Sequence, residues 1–259
     1  MSDEKHRHLD ASKKEKLHEV MRKHEQLFDG KKGVWKGQDA TLQLKDEFEP
    51  SIQKPHGVPF PQRDQFKREL DRQCETGILR KLTPEEAEQA DWGFTMFGIP
   101  KKNKKDIRTV IDHRKLNRMV KRNPCFIEPI HDLIMSVGHW SWGSAVDLNM
   151  GCYAMRLCDK TRKFMRIVTI FGMHEPLVLA MGVAPASDVF QRRMSNLMME
   201  VKPKTPKCYV DDTLASFVPT FDENIECLDI IFAILKEAGL QINLSKFTLC
   251  QKALEHVGF

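Results

Sequence analysis

Several features are scarce in this 259-residue sequence, and each scarcity excludes a class of protein. No window approaches the roughly 20 apolar residues of a membrane-spanning helix, and the polar start from Met1 to Asp10 lacks the apolar run of a secretion signal. The seven cysteines are scattered, without the C-x-x-C spacing of a zinc knuckle or redox pair. We therefore expect a soluble, intracellular, cytoplasmic protein with free thiols and no membrane partner, with access to the nucleus left open.

The charge balance is mildly basic, with 41 lysine and arginine residues against 36 aspartate and glutamate residues. This balance permits a polyanionic partner without requiring one, and the length suffices for one large or two small domains. Four histidines near the N-terminus are interleaved with charged residues and are interpreted as solvated, not as metal ligands. They are His6, His8, His18 and His24.

The first 60 residues are predicted to form a charged helix over Ala11–Phe28 and then an extended, proline-interrupted arm. From residue 61 the apolar spacing predicts a helix that ends within residues 77–82. Thr83 is predicted to cap a short acidic helix that starts with Pro84. Two strands, Thr95–Pro100 and Ile107–Asp112, then read as a hairpin.

This hairpin begins the most basic segment of the chain, with ten basic and two acidic residues between Lys101 and Arg122. Alternation along a strand lets Arg108 point with the turn lysines into a shared cleft. Such a cleft suits a triphosphate or a nucleic-acid backbone. The alternative for a charge run of this kind is a solvated basic loop.

Three carboxylates indicate the chemistry. Asp147 ends the apolar strand Ser144–Leu148, where an aspartate can also be a helix N-cap. Asp211 and Asp212 stand between two β-prone runs, although tight hairpins favour Asn-Gly or Asp-Gly and adjacent carboxylates repel. A bound divalent cation resolves that repulsion, and hard oxygen ligands suit Mg²⁺. The spacing leaves room for a crossover helix, so the three carboxylates are expected to converge for a two-metal phosphoryl transfer.

The sequence Tyr209-Val210-Asp211-Asp212, after Val146-Asp147-Leu148, resembles the catalytic motifs of reverse transcriptases, particularly those of Ty3/gypsy-type long-terminal-repeat retrotransposons. The resemblance covers most of the chain. The other segments that carry it are 66–70 with 75–79, 99–102, 107–117, 180–191, 239–246 and 257–259.

The resemblance implies an α+β fold with the fingers and palm of a right-hand polymerase, the palm being a ferredoxin-like antiparallel sheet backed by helices. It places an N-terminal helix and arm in residues 1–60 and the reverse transcriptase domain in residues 61–259. The fingers are expected at about 61–135 and 160–185, and the palm at about 136–159 and 186–259. Because the sequence ends at Phe259, no thumb is expected, and the chain is interpreted as a polyprotein fragment.

The resemblance also implies roles for individual residues, with an RNA or DNA template-primer and deoxynucleoside triphosphates as partners. Catalysis would rest on Asp147, Asp211 and Asp212, which with Leu148 would bind two Mg²⁺ ions, Mn²⁺ being possible. Substrate binding is implied for Lys101, Arg108, Cys152, Tyr153, Met181, Gly182 and Lys246. Nucleic-acid binding is implied for Tyr209, Val210, Gln191 and Arg114.

Some positions depart from the family pattern. Cys152 stands where such enzymes place an aromatic ring that excludes a ribose 2′-hydroxyl, Tyr153 follows it, and Ser187 and Met181 are milder replacements. A thiol leaves room for the extra oxygen, so poor discrimination between ribo- and deoxyribonucleotides is the hypothesis. The first alternative function is a non-catalytic retroelement remnant that binds nucleic acid. The second is an unrelated basic RNA-binding module, which should show exposed stacking aromatics. The oligomeric state stays open.

Overall fold

The computed structural model describes residues 6–101, 106–125, 139–199, 207–209 and 213–252, with the backbone alone for residues 207–209 and 213–215. The chain divides into two compact units. Unit 1 comprises residues 1–37, 124–154 and 187–259, and unit 2 comprises residues 38–123 and 155–186. The fingers and palm boundaries expected from the sequence stay a prediction.

The described elements alternate between helices and strands along the chain. The helices are α1 (Ala11–Lys23), α2 (Arg63–Glu75), α3 (Pro84–Glu88), α4 (Arg114–Met119), α5 (Asp159–Phe164), α6 (Ala184–Met198) and α7 (Phe221–Ala238). The strands are β1 (Leu79–Lys81), β2 (Phe94–Pro100), β3 (Ile107–Ile111), β4 (Trp142–Asp147), β5 (Ile167–Thr169), β6 (Gly172–Pro176), β7 (Lys207–Tyr209), β8 (Thr213–Val218) and β9 (Thr248–Gln251). Short 3₁₀ turns lie at Glu25–Phe28, Phe60–Gln62 and Gly151–Ala154.

The described strands of unit 1 form an antiparallel sheet in the order β7-β8-β4-β9. Helix α7 backs this sheet with an apolar face that includes Leu228, Phe232 and Leu235, all fully buried. Thr220 and Glu223 form a reciprocal capping box at its start. Gly239 ends it in the left-handed conformation at φ 77°. The apolar spacing in the sequence predicts an amphipathic helix over residues 225–238 with Gly239 as its C-cap, and this helix end is confirmed.

The N-terminal helix differs from its prediction. It ends at Lys23 and gives way to a 3₁₀ turn, and two of the histidines interpreted as solvated, His6 and His24, are buried. Nε2 of His24 donates to Oδ1 of Asp229 on α7 at 2.7 Å, and its ring packs edge-on against Phe232. An acidic partner 205 residues away makes this burial tolerable, and a local charge pattern cannot reveal such a partner.

The chain that follows α1 runs beside the C-terminal end of α7. The amide of Val34 donates to the carbonyl of Gly239 at 2.9 Å, and the amide of Lys36 donates to Ala238 at 2.9 Å. A Cβ at position 239 would lie 2.2 Å from the Val34 carbonyl oxygen, so only glycine fits there. The predicted surface-wrapping arm is thus joined to unit 1 by backbone pairing at its start.

The described strands of unit 2 form a mixed sheet in the order β1-β6-β5-β2-β3, in which β2 pairs antiparallel with β3 and parallel with β5. The predicted β2–β3 hairpin is confirmed, and so is the short helix α3 with Thr83 as its cap. The predicted end of the preceding helix is wrong. Helix α2 ends at Glu75, Gly77 takes a positive φ, and Leu79–Lys81 becomes a strand paired with β6.

No helix in the described ranges is both long enough and apolar enough to cross a membrane. No disulfide joins the cysteines whose side chains are described. The later palm segment predicted at Val257–Phe259 lies outside the described residues.

Candidate active site

Asp147 is the last residue of β4 and is buried, with 6% of its surface exposed. In the antiparallel β4–β8 pair, Asp147 is the partner of Thr213, and Thr213 is also the partner of Tyr209 in the β7–β8 pair. The predicted hairpin of the two β-prone runs that flank Asp211 and Asp212 is therefore confirmed. Its connecting residues, Val210, Asp211 and Asp212, lie outside the described residues.

Backbone hydrogen bonds fix the end of β4. The carbonyl of Asp147 accepts from the amide of Asn243 at 2.8 Å, and the amide of Asn149 donates to Gln241 at 2.8 Å. Leu148 lies between these two residues, and its carbonyl oxygen takes part in neither hydrogen bond. Asn149 also donates through its side chain to the carbonyl of Lys31 at 2.7 Å. The carboxylate of Asp147 thus projects from an anchored strand end.

Lys246 is the described cation next to this carboxylate. Its Nζ lies 3.7 Å from Oδ1 of Asp147, while 61% of the lysine side chain is exposed. The distance is that of a long ion pair, and the exposed amine remains accessible to an anionic ligand. The structure therefore brings the predicted substrate-binding residue Lys246 to the predicted catalytic residue Asp147.

The carboxylates fit a hard divalent cation chemically, because Mg²⁺ prefers carboxylate and carbonyl oxygens. In the part of the chain that the structure describes, no group of three or more His, Cys, Asp or Glu side chains is arranged to hold a metal. Asp147 is the described member of the predicted triad. The other two predicted carboxylates, Asp211 and Asp212, lie outside the described residues.

The 3₁₀ turn Gly151–Ala154 follows the β4 end and contains both residues predicted to face the sugar. Cys152 is 1% exposed, whereas Tyr153 is half-buried. The turn is tied down by a hydrogen bond of 2.8 Å from the amide of Trp35 to the carbonyl of Ala154. Met150, which precedes the turn, has a positive φ of 56°, an uncommon conformation for a residue with a side chain.

In unit 2, the β2–β3 hairpin carries the two residues predicted to contact the triphosphate. Ile99 pairs with Arg108, and the amide of Lys101 donates to the carbonyl of Asp106 at 2.8 Å. The side chains of Lys101 and Arg108 are exposed. The hairpin and α2 enclose a pocket of about 280 Å³. It is lined by Gln65, Arg68, Glu69, Arg72, Lys101, Asp106 and Ile107.

Arg114, which was predicted to bind nucleic acid, forms a bidentate ion pair within the basic segment. Its Nε and one terminal nitrogen donate to Oδ1 and Oδ2 of Asp112 at 2.8 and 2.7 Å. The arginine hydrogen bond lowers the pKa of Asp112 to about 2. One side of the exposed guanidinium is therefore already occupied at neutral pH.

The turn at Met181 and Gly182 is held by a residue that the sequence did not single out. Nδ2 of Asn117 donates to the carbonyl of Gly182 at 3.0 Å, and Oδ1 of Asn117 accepts from the amide of Ala184 at 2.8 Å. Met181 is 40% exposed. Asn117 was overlooked because it stands inside the basic run, where charge dominates the pattern.

Gln191 lies on α6 and is buried, with 4% of its surface exposed. Its side-chain amide donates to Oγ of Ser195, one helical turn further, at 3.3 Å. Its predicted contact with nucleic acid stays a prediction. Tyr209 lies in β7, where the backbone alone is described.

A polar network beneath β4 was also missed. Oγ of Ser144 donates to Oδ1 of Asn224 at 2.7 Å and accepts from the amide of Cys250 at 2.9 Å, and all three residues are fully buried. Burial raises the pKa of the Cys250 thiol to about 12. The signal for this network is a serine inside an apolar strand, which identifies one member but not its partners.

Residues 99–259 match the family model described as reverse transcriptase (RNA-dependent DNA polymerase). The chain belongs to this reverse transcriptase family. Its similarity to polyproteins of gypsy-type elements confirms the family suggested by the aspartate motifs. The unrelated RNA-binding module is thereby excluded.

Two curated relatives of this reverse transcriptase chain come from Drosophila melanogaster. The retrovirus-related Pol polyprotein from transposon opus is 25% identical over 215 residues, 82% of this chain and 21% of the relative. The polyprotein from transposon gypsy is 24% identical over 225 residues, 85% of this chain and 21% of the relative. The chain therefore spans about a fifth of the length of these relatives.

Among solved structures, a foamy viral protease-reverse transcriptase in complex with an RNA/DNA hybrid superposes with a TM-score of 0.85. The match covers 97% of this chain and 33% of that chain, at 18% identity. At this identity the likeness shows the fold. The expected α+β reverse transcriptase fold of fingers and palm is confirmed.

Proposed function

We propose that this chain is the fingers and palm part of an RNA-directed DNA polymerase, a fragment of a retrotransposon polyprotein that extends a primer on a template. The observation that carries the proposal is the register of the palm sheet. Asp147 pairs with Thr213, the residue that directly follows Asp211 and Asp212 in the sequence. Membership of the reverse transcriptase family supports the same reaction.

Asp147, Asp211 and Asp212, with the carbonyl of Leu148, are the residues that would hold two Mg²⁺ ions or their Mn²⁺ substitutes. Bound at such carboxylates, divalent ions neutralise charge on the attacking and leaving oxygens of an in-line phosphoryl transfer. The described geometry contributes an anchored strand end, which limits the movement of the Asp147 carboxylate. Preorganisation of this kind is what the transfer requires of the protein.

The proposed substrates are deoxynucleoside triphosphates and an RNA or DNA template-primer. Lys101, Arg108 and Lys246 would bind phosphate oxygens, since all three amine or guanidinium groups are exposed. Cys152 and Tyr153 would lie against the sugar, and Met181 and Gly182 against the nascent base pair.

Tyr209, Val210, Gln191 and Arg114 are proposed as contacts to the template-primer. The solved relative that was captured with an RNA/DNA hybrid supports such a partner.

The experiment is primer extension on an RNA template with Mg²⁺. Wild type is compared with Asp147→Asn, Asp211→Asn and Asp91→Asn, the last being an exposed aspartate in unit 2 that serves as a matched control. We expect extension by wild type and the control, and a loss of at least a thousandfold, on the order of the effect of a principal electrostatic group, in the other two.

Template binding is measured in parallel by fluorescence anisotropy. A folded wild-type protein that binds the template-primer but never extends it would contradict the proposal. That outcome would favour the non-catalytic remnant. Equal extension by wild type and Asp211→Asn would contradict the assignment of the carboxylates.

A further inference from the structure

One side chain of helix α4 is hydrogen-bonded to the backbone at the Met181–Gly182 turn. The amide group of Asn117 uses both of its ends, donating to the Gly182 carbonyl at 3.0 Å and accepting from the Ala184 amide at 2.8 Å. These hydrogen bonds bracket the turn immediately before α6 begins at Ala184. An asparagine suits this task because its side chain combines a donor and an acceptor.

Gly182 has a φ of 88°, a conformation that a residue with a side chain rarely adopts. A Cβ built there would meet only Nδ1 of His113 within 4 Å, at 3.8 Å, which is ordinary contact distance. Glycine is therefore required at this position for its backbone conformation and not for lack of space. Because glycine has more conformational freedom than any other residue and Met181 is exposed, the turn depends on hydrogen bonds from outside it to keep one conformation.

His113 forms a floor under this turn from within unit 2. It is 3% exposed, packs edge-on against Phe94, and has no hydrogen-bond partner for either ring nitrogen among the described residues. Burial lowers the pKa of His113 to about 4, so the ring is neutral under assay conditions. The ring that lies beside Gly182 is therefore uncharged.

We propose that Asn117 is a positioning residue of the polymerase, which holds the Met181–Gly182 turn, over the floor formed by His113, in the conformation that receives the nascent base pair. This inference rests on the proposed function and adds a residue to which neither the sequence motifs nor the family resemblance assigned a role. Since Asn117 acts through the backbone of the turn, its loss weakens nucleotide binding and fidelity more than the chemical step.

The test is steady-state primer extension with single nucleotides by wild type, Asn117→Ala, Asn117→Asp and Gln89→Ala. Gln89 is an exposed amide residue of unit 2 and serves as the matched control. Loss of two hydrogen bonds predicts about a tenfold rise in nucleotide KM for Asn117→Ala. We expect kcat to change by less than about threefold and misinsertion to rise, since the turn is loosened and the metal ligands are untouched.

The aspartate variant distinguishes positioning from general stability. Its carboxylate is ionised in the assay, so it accepts from Ala184 but cannot donate to Gly182, and it repels the Gly182 carbonyl oxygen. We therefore expect its nucleotide KM to rise by about tenfold, as in Asn117→Ala, although the size of the side chain is kept.

His113→Phe tests the floor, because a phenyl ring keeps the packing and abolishes no hydrogen bond that the described residues show. We expect its KM to stay within about threefold of wild type, since the packing contact is what matters. Hydrogen exchange at the Ala184 amide provides a readout without catalysis. It should accelerate in Asn117→Ala and stay unchanged in Gln89→Ala.

A wild-type KM and misinsertion frequency in folded Asn117→Ala, beside an active wild-type enzyme, would overturn this inference and leave the proposed function standing. Wild-type protein that extends no primer would instead overturn the proposed function, and with it the role given to the turn. A wild-type KM for Asn117→Asp would also count against positioning through the Gly182 carbonyl.

Discussion

Asp147 and Thr213 are register partners in the antiparallel pair formed by β4 and β8. The Cα atoms of partners in such a pair are about 4.5 to 5.5 Å apart. The two residues that precede Thr213 in the chain are Asp211 and Asp212. The described part of the sheet is therefore compatible with a cation site shared by Asp147, Asp211 and Asp212.

Asp147→Asn should weaken the stabilisation of the protein by Mn²⁺ or Mg²⁺, because it removes one charged oxygen ligand. A ligand that binds the folded state alone stabilises it by about 2.7 kcal/mol at a hundred times its Kd. Thermal unfolding with increasing Mn²⁺ measures the difference, with Asp91→Asn as the control. Identical metal-induced rises in Tm for the Asp147 variant and wild type would rule out this ligand.

Wild type should incorporate ribo- and deoxyribonucleotides to a comparable degree, and Cys152→Tyr should restore a strong preference for deoxyribonucleotides. The reason is that a tyrosine ring leaves no volume for a 2′-hydroxyl, whereas a thiol does. Because Cys152 is 1% exposed, the larger side chain requires its neighbours to shift, which costs about 1 to 3 kcal/mol. Paired single-nucleotide assays and Tm measurements check both effects. Strict discrimination by wild type would refute the hypothesis.

Asn224→Ala should destabilise unit 1 by about 1 to 3 kcal/mol, since it leaves Ser144 without its hydrogen-bond acceptor in the buried network beneath β4. Urea denaturation followed by fluorescence measures this loss. The exposed Asn196 on α6 offers the control substitution Asn196→Ala. Equal midpoints for the two variants would show that the network contributes little.

Asp229→Asn should loosen α1 at neutral pH, because Asp229 accepts from Lys23 Nζ and His24 Nε2, both at 2.7 Å. Burial would raise the pKa of Asp229, but these hydrogen bonds outweigh it and lower the pKa below its ordinary value of 3.8. A lowered folded pKa means that the contribution is present above about pH 4 and is lost as the pH falls through the folded pKa.

Hydrogen exchange in α1 checks this prediction. The variant should exchange faster than wild type at pH 7, and the difference should shrink as the pH falls through the lowered folded pKa of Asp229, where the wild-type carboxyl is also protonated. Asp222→Asn removes the exposed ion pair with Lys16 on the same pair of helices and should have little effect. A pH-independent difference would attribute the effect to packing.

Sequence reasoning succeeded where the signal is local. The N-cap at Thr83 and the helix end at Gly239 depend on residues a few positions apart. The β2–β3 hairpin and the β7–β8 hairpin likewise join neighbouring segments. Asp147 was correctly placed at a strand end because the apolar run before it is typical of a buried strand.

Sequence reasoning failed where the partner is distant. Leu79 was assigned to a helix because its spacing continues that of α2, whereas pairing with Pro176 makes it a strand residue. His24 was interpreted as solvated because Asp229 is invisible to a local pattern. Asn117 was overlooked because its two hydrogen bonds are to Gly182 and Ala184, which a single sequence does not place beside it.

The backbone pairing of Val34 with Gly239 bears on how the protein should be trimmed for expression. The family match begins at residue 99, yet Val34 and Lys36 supply the donors to the last carbonyls of α7. A protein that begins at residue 99 would lack Val34 and Lys36, so the carbonyls of Ala238 and Gly239 would lose these donors and turn to solvent. Domain borders drawn from family matches should therefore be extended to include residues 6–37 when this palm is produced alone.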